Sequence, residues 1–258
     1  MAQHYDGYFI DLDGTIYQGT KRFPAGKRFI ERLAESSSQY LFVTNNSTKT
    51  PDEVAANLTD NHDIPTTAEQ VYTSAMALAD YLAELGDVKR VLMIGEIGLQ
   101  VALEAKGFEL VSEGPADAVA IGLDRDINYE KLVQATLAIQ HAAKFVATNV
   151  DTNLPNERGM LPGAGTLVAA LQTAVQQKPV VIGKPETIIM AGALRRTGLT
   201  ADQVVMVGDN YNTDILAGIN ADIDTLLVYT GVSTKEQVAA ADKQPTHKVD
   251  SLDDWEIK

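Results

Sequence analysis

Two acidic stretches in the sequence could do chemistry. Asp11-Leu12-Asp13-Gly14-Thr15 directly follows the apolar run Tyr8-Phe9-Ile10, and Gly208-Asp209 follows Val204-Val205-Met206-Val207, with Asp214 about one helical turn further on. In an extended segment the period of two puts Asp11 and Asp13 on one side, and Gly14 lets the chain turn sharply after them. Two adjacent carboxylates repel one another unless they share a cation or a proton. Asp-Gly is also ordinary turn chemistry, but a second acidic strand end raises the first above that reading. Two parallel strands ending in carboxylates can together hold Mg²⁺, a hard cation that takes oxygen ligands and usually keeps several waters and a substrate phosphate. Asp214 would then orient a ligand carboxylate or a metal-bound water from behind. A helix-loop-helix calcium site is excluded, because neither the Gly at the sixth position nor the Glu at the twelfth is present from Asp11 onward.

Two further residues fit the same chemistry. A lone Lys is usually solvated surface, yet Lys184 in Ile182-Gly183-Lys184-Pro185 stands between an apolar run and a helical pattern. A site holding several carboxylates and an incoming phosphate dianion needs fixed positive charge beyond one Mg²⁺, and an ammonium supplies it. Thr44 ends the run Tyr40-Leu41-Phe42-Val43. Its hydroxyl and the N–H groups after it could hold phosphate oxygens, although threonine at a strand end is otherwise ordinary.

These residues need a scaffold that brings several strand ends together. Phe29, Ile30 and Leu33 have helical spacing, and Pro51 stands where the first turn of a helix tolerates proline. Strand signals recur at 90–94, 118–121, 144–147, 180–182, 204–207 and 225–228, mostly separated by helical patterns such as Tyr129 to His141. Such alternation predicts an α/β protein with parallel sheets, and short continuous apolar runs suit sheets covered on both faces. Open sheets of this kind bind ligands beyond the carboxyl ends of their strands. No Gly/Ser-rich or Pro-rich linker marks a domain boundary. The helical stretch Ser74 to Leu85 is expected to lead out of a first domain and the segment around Gly163 to Val175 to lead back, because the strand-loop chemistry resumes only at Val181.

Taken in order, Asp11-Leu12-Asp13-Gly14-Thr15, Thr44, Lys184 and Gly208-Asp209 with Asp214 resemble the four motifs of the haloacid dehalogenase-like superfamily. Phe42-Val43-Thr44-Asn45-Asn46-Ser47, Gly122-Leu123-Asp124-Arg125, Thr148-Asn149-Val150-Asp151, Pro162-Gly163-Ala164-Gly165 and Gly183-Lys184-Pro185-Glu186 extend the likeness over nearly the whole chain. They look like the NagD-type, or p-nitrophenyl phosphatase-like, branch. The resemblance implies a Rossmann-like parallel-sheet core at 1–78 and 180–258 with an inserted α/β cap at 79–179. It also implies a Mg²⁺-dependent phosphatase in which Asp11 is the nucleophile that forms an aspartyl-phosphate. Asp13 would be the acid and base, and Asp11, the Asp13 backbone carbonyl and Asp209 would hold Mg²⁺, with Asp214 behind them. Thr44, Asn45 and Lys184 would bind the phosphoryl group, with Asn46 beside them as a further substrate-binding residue. From its own residues, the polar stretch 148–157, with Asn149, Asp151, Asn153 and Asn156, is expected to read the substrate. Asp at position 13 favours a phosphatase over a dehalogenase or an ATPase. A phosphotransferase or mutase and a non-catalytic ligand-binding protein remain the alternatives.

Composition narrows the partners. The 258-residue chain carries a formal charge of −14, with 45% hydrophobic residues and no cysteine. That charge argues against nucleic acid and an anionic membrane surface as partners, and the absence of cysteine removes disulfides and thiolate chemistry. With a polar start and no apolar run of about 20 residues, a soluble cytoplasmic protein is the expectation. The substrate would be a small phosphorylated metabolite: a sugar phosphate, phosphoglycolate, a nucleoside monophosphate or pyridoxal phosphate. The resemblance also allows a cap-mediated homodimer. Because a −14 chain repels such a substrate at long range, the entrance is expected to be less acidic than the surface average. Asp124-Arg125-Asp126 lacks a following Gly-Thr and reads as structural. Gly159 to Gly165 lacks a P-loop ending and reads as a tight turn entering a helix. The four histidines show no metal-ligand spacing and receive no role, and Trp255 is expected to pack at a domain edge.

Overall fold

The structure is a computed structural model that describes residues 4–156 and 158–258, with the backbone alone at Pro155 and Asn156. The chain forms two compact units. One comprises Met1–Thr44, Asp52–Tyr72 and Lys184–Lys258, and the other Asn45–Pro51 and Thr73–Gly183. The cap expected at 79–179 falls inside the second unit. Among the described residues no helix is long and apolar enough to cross a membrane.

The first unit is built on a six-stranded sheet in the order His247–Val249, Asp224–Val228, Val204–Gly208, Gly7–Ile10, Gln39–Thr44, Val71–Thr73, of which the first five run parallel. Gly7–Ile10 lies in the middle and is buried along its whole length, as a continuous apolar run requires. From it the chain adds strands first on one side and then, after Lys184, on the other, so the strand order reverses beside it. Register decides what meets there. Ile10 stands opposite Val207 on one side and Phe42 on the other, so Asp11, Gly208-Asp209 and Val43-Thr44 leave the sheet at one level.

The helix Pro24–Glu35 starts on a proline in its first turn and buries Phe29, Ile30 and Leu33, the residues whose spacing predicted it. It stops at Ser36, whose N–H and hydroxyl both donate to the Leu33 carbonyl. Phe29 meets Tyr8 edge to face at 5.8 Å within a core that also holds Ile10, Phe42, Val205 and Val207. Trp255 packs against this same core and stacks on Tyr5.

The second unit has its own five-stranded parallel sheet, in the order Val180–Val181, Lys144–Ala147, Ala118–Ile121, Arg90–Ile94, Glu109–Val111. Its separate core joins Ile94, Ile121 and Phe145 to Ala135 and Ile139 of the helix Tyr129–Gln140 and to Leu171 of the helix Ala164–Val175. The reading of Gly159 to Gly165 as a turn needs correction. Gly159–Pro162 is a strand paired antiparallel with Asn153–Asn156, and the helix begins only at Ala164. Two prolines and no apolar alternation hid this hairpin, because its pairing rests on backbone hydrogen bonds.

Removing the Phe29 ring leaves a cavity under the central strand. Phe29→Ala is expected to lower unfolding free energy by about 3–5 kcal/mol in urea titration; a loss below about 1 kcal/mol would show that this contact does not anchor the sheet.

Candidate active site

The level strand ends converge on one ammonium group. Lys184, 2% exposed, donates from Nζ to Asp11 Oδ1 at 2.6 Å, Asp214 Oδ1 at 2.8 Å and the Val43 carbonyl at 2.8 Å. Burial pulls its pKa down, and the two carboxylates more than reverse this, so it stays protonated. Asp11 is fixed from the other side, its N–H continuing the strand ladder to the Val207 carbonyl at 2.9 Å. Immediately afterwards the Leu12 carbonyl accepts from the N–H groups of Thr15 and Ile16, which turns the chain back on itself.

Asp209 is gripped by one hydroxyl and one backbone N–H. Its Oδ1 accepts from the Thr15 hydroxyl at 3.0 Å and its Oδ2 from the Val232 N–H at 2.7 Å. A Cβ at Gly14, where φ is +100°, would lie 2.5 Å from Asp209 Oδ2, and one at Gly231 would lie 2.0 Å from it. Only glycine permits both chains to approach so closely. The Thr230 hydroxyl donates to the Gly14 carbonyl at 2.6 Å and closes this side of the site. Thr230 to Ser233 therefore packs around Asp209, and the sequence reading missed it. Its signal was available: Thr-Gly-Val-Ser comes just after the apolar strand Asp224–Val228, the same position that marks the other site residues.

Asp214 accepts at Oδ2 from the Asn210 N–H at 3.1 Å while its Oδ1 faces Lys184. Among the described residues Asp11, Asp209 and Asp214 form a buried trio, each offering a carboxylate oxygen within 4.8 Å of the others. Three carboxylates face one ammonium there, and the imbalance shows in their protonation. Burial, with repulsion from Asp214, pushes Asp11 well above the usual carboxylate range against the pull of Lys184. Burial and Asp214 push Asp209 up to about 6. An all-oxygen donor set short of positive charge fits a hard divalent cation. Asp13 stands outside this trio. Its side chain reaches solvent at the edge of the site, yet it loses enough hydration to raise its carboxyl, while an N–H of Gly19 opposes the shift.

Thr44, buried, ends its strand beside Val43, the acceptor for Lys184. The other expected substrate residues belong to the second unit. Asn45 Nδ2 donates to both oxygens of Asp151, at 3.2 and 3.1 Å, and the Asn45 carbonyl accepts from Ser74 Oγ at 2.6 Å and Asn149 Nδ2 at 2.8 Å. Asn45, Asn149 and Asp151 thus form one network. Asn46 Oδ1 accepts from the N–H groups of Thr48 and Lys49, shaping the turn. The side chain of Asn156, and Glu157, lie outside the described residues. Asp124 is buried and held by Lys131 at 2.8 Å, and Arg125 pairs with Glu96, in keeping with their reading as structural.

Comparison with known proteins gives a consistent picture. A family model for haloacid dehalogenase-like hydrolases matches residues 8–109, and an HAD-hydrolase-like model matches 181–255. The chain is 47% identical over 251 residues to the 5'-nucleotidase YutF of Bacillus subtilis, covering 97% of both chains. Its structure superimposes on a mutant of the thermostable p-nitrophenylphosphatase from Bacillus stearothermophilus with a TM-score of 0.90, 49% identity and full coverage of both chains. It also matches a glycerol phosphate phosphatase from Mycobacterium tuberculosis in complex with calcium, with a TM-score of 0.89 and 38% identity over 96% of this chain and 74% of that one.

Two outcomes follow from the geometry. Gly231→Ala must displace Asp209 or Gly14, and a loss of at least about 100-fold in catalytic turnover is expected, comparable to removing a fixed electrostatic group; turnover within about threefold of the parent would contradict the close approach. The second concerns pH. A carboxyl with a raised pKa binds protons in the folded state that the unfolded chain has released, so the metal-free protein loses stability as pH rises from about 4 to about 6. A divalent cation replaces those protons. The rise in thermal midpoint between chelator and added Mg²⁺ should therefore be larger above pH 6 than near pH 4.5 to 5, and a rise independent of pH would count against Asp11 and Asp209 as cation ligands.

Proposed function

The chain belongs to the haloacid dehalogenase-like hydrolases, in the branch related to the p-nitrophenyl phosphatases, and from that premise we propose that it hydrolyses phosphomonoesters of small metabolites through an aspartyl-phosphate on Asp11. The observation that carries this reading is the buried Asp11 carboxylate, held by Lys184 at 2.6 Å beside Asp209 at the level strand ends. Lys184 pulls Asp11 toward the ionised form that attack on phosphorus requires, against burial and the Asp214 charge. One carboxylate oxygen of Asp11 forms a bond to phosphorus as the ester P–O bond breaks, and the departing oxygen takes a proton from Asp13. Water then attacks the aspartyl-phosphate, gives a proton to Asp13 and releases inorganic phosphate, which restores both residues. The raised pKa of Asp13 suits a carboxyl that must carry a proton at working pH.

The Asp11 and Asp209 side chains and the Asp13 backbone carbonyl would hold Mg²⁺, which when bound supplies positive charge to the phosphoryl oxygens. Asp214 has its oxygens engaged by Asn210 and Lys184, which suits support from behind. Lys184 and the Thr44 hydroxyl are the groups of this chain that neutralise and orient the transferring group. The 5'-nucleotidase, p-nitrophenylphosphatase and glycerol phosphate phosphatase share a phosphomonoester and little else. Selection among such esters is assigned to the cap, 79–179, with Asn149 and Asp151. Their mutual hydrogen bonding with Asn45 makes that network the first place to look for substrate discrimination.

Phosphate release from p-nitrophenyl phosphate with Mg²⁺ tests the reading. Chelation with EDTA and Asp11→Asn are each expected to abolish it, the variant by at least about a thousandfold. Release that survives Asp11→Asn would overturn the covalent mechanism.

A further inference from the structure

His62 is buried, 4% exposed, and among the described residues neither of its ring nitrogens has a hydrogen-bond partner. Leaving a polar ring unsatisfied in the interior costs stability, so its place in the fold needs a reason. The ring of Tyr17 lies flat on it, with centroids 4.2 Å apart and planes 12° from parallel. Tyr17 begins the small hairpin Tyr17–Gln18 with Lys21–Arg22, which follows the Asp13-Gly14-Thr15 turn.

That hairpin reaches back to the Asp13 turn in two ways. Tyr17 forms an isolated bridge beside Asp13, in which its carbonyl accepts from the Gly14 N–H at 2.6 Å and its N–H donates to the Leu12 carbonyl, and an N–H of Gly19 at the hairpin tip donates to the Asp13 carboxylate. The hairpin is held on its other side by one segment. Asn57–Asn61 is a wide π-helical turn, a form that is rare and recurs near functional sites. From it Asn57 hydrogen-bonds the Tyr17 hydroxyl while its own Oδ1 accepts from Asn61 Nδ2 at 3.0 Å. Arg22 donates to the Asn61 carbonyl at 2.6 Å and pairs with Asp63, whose φ of +57° turns the chain just after His62. Burial, with the nearby Arg22 charge, keeps the imidazole neutral.

We propose that Asn57 to Asp63 is a platform for the 17–22 hairpin, in which His62 serves as a stacking plate and Tyr17 as the positioning residue that holds Asp13 ready to protonate the leaving oxygen. The inference rests on the phosphatase reading above. It assigns His62 no proton transfer and no metal, because its nitrogens face nothing that could use them. A flat apolar ring should therefore replace it, and an aliphatic stub should not.

The test compares two esters by kcat/KM, which reports the steps up to phosphorylation of Asp11. p-Nitrophenolate leaves readily without a proton, whereas the alkoxide of glycerol phosphate needs one. His62→Ala is expected to lower kcat/KM on glycerol phosphate by about tenfold or more and on p-nitrophenyl phosphate by about threefold or less. His62→Phe should match the parent on both. Asn57→Ala, which releases the Tyr17 hydroxyl, should show the same selective loss, and it carries the test if His62→Ala does not fold. Equal losses on the two esters, no loss in either Ala variant, or a His62→Phe as impaired as His62→Ala would overturn the platform. A parent that releases phosphate from neither ester would instead refute the phosphatase reading, and the platform's role with it.

Discussion

A buried ammonium among buried carboxylates is the constraint on which the rest of the first unit depends. Lys184 joins Asp11, Asp214 and the Val43 carbonyl, groups from three separate stretches of chain, at distances of 2.6 to 2.8 Å. Removing such charges from water costs several kcal/mol per ion unless their partners are well placed. The sheet must therefore deliver its strand ends with little error, and the register that sets Ile10 level with Val207 and Phe42 does so. The same demand accounts for the glycines. At Gly14, Gly208 and Gly231 a Cβ would come within 2.0 to 2.5 Å of the Asp209 or Asp214 side chain, so these carboxylates are packed against backbone as closely as an apolar core is packed against itself.

One ammonium does not balance three carboxylates, and the excess is useful. Together with burial, the larger cause, it raises the pKa of Asp11 and Asp209 above the ordinary range and creates a demand that a divalent cation would satisfy. Functional sites commonly hold such an imbalance at a cost to stability. Here the cost falls on the residues that the phosphatase reading assigns to attack and to metal binding, while Asp13, to which the same reading assigns proton transfer, stands outside the trio.

Most of this was legible in the sequence, for a physical reason. Residues at strand ends, such as Asp11, Thr44 and Asp209, are announced by the apolar runs before them, and a parallel sheet gathers strand ends whatever else the chain does. Groups fixed by long-range packing carry no such announcement. His62 looked like an unassigned histidine because the ring that stacks on it lies far from it in sequence. Thr230 to Ser233 reads as an ordinary loop until Gly231 is seen against Asp209. The amide of Asn45 is directed to Asp151, more than a hundred residues away, a partner that its place after Thr44 does not announce.

The measurement that bears most directly on this account is the stability of Lys184→Met in chelator near neutral pH, alone and combined with Asp214→Asn. A buried ammonium that balances the carboxylates predicts a loss of about 3–5 kcal/mol for the single variant. The added Asp214→Asn should return part of that loss by relieving the uncompensated charge. A single variant as stable as the parent chain, or a double variant that is additive, would contradict the claim that this ion network organises the site.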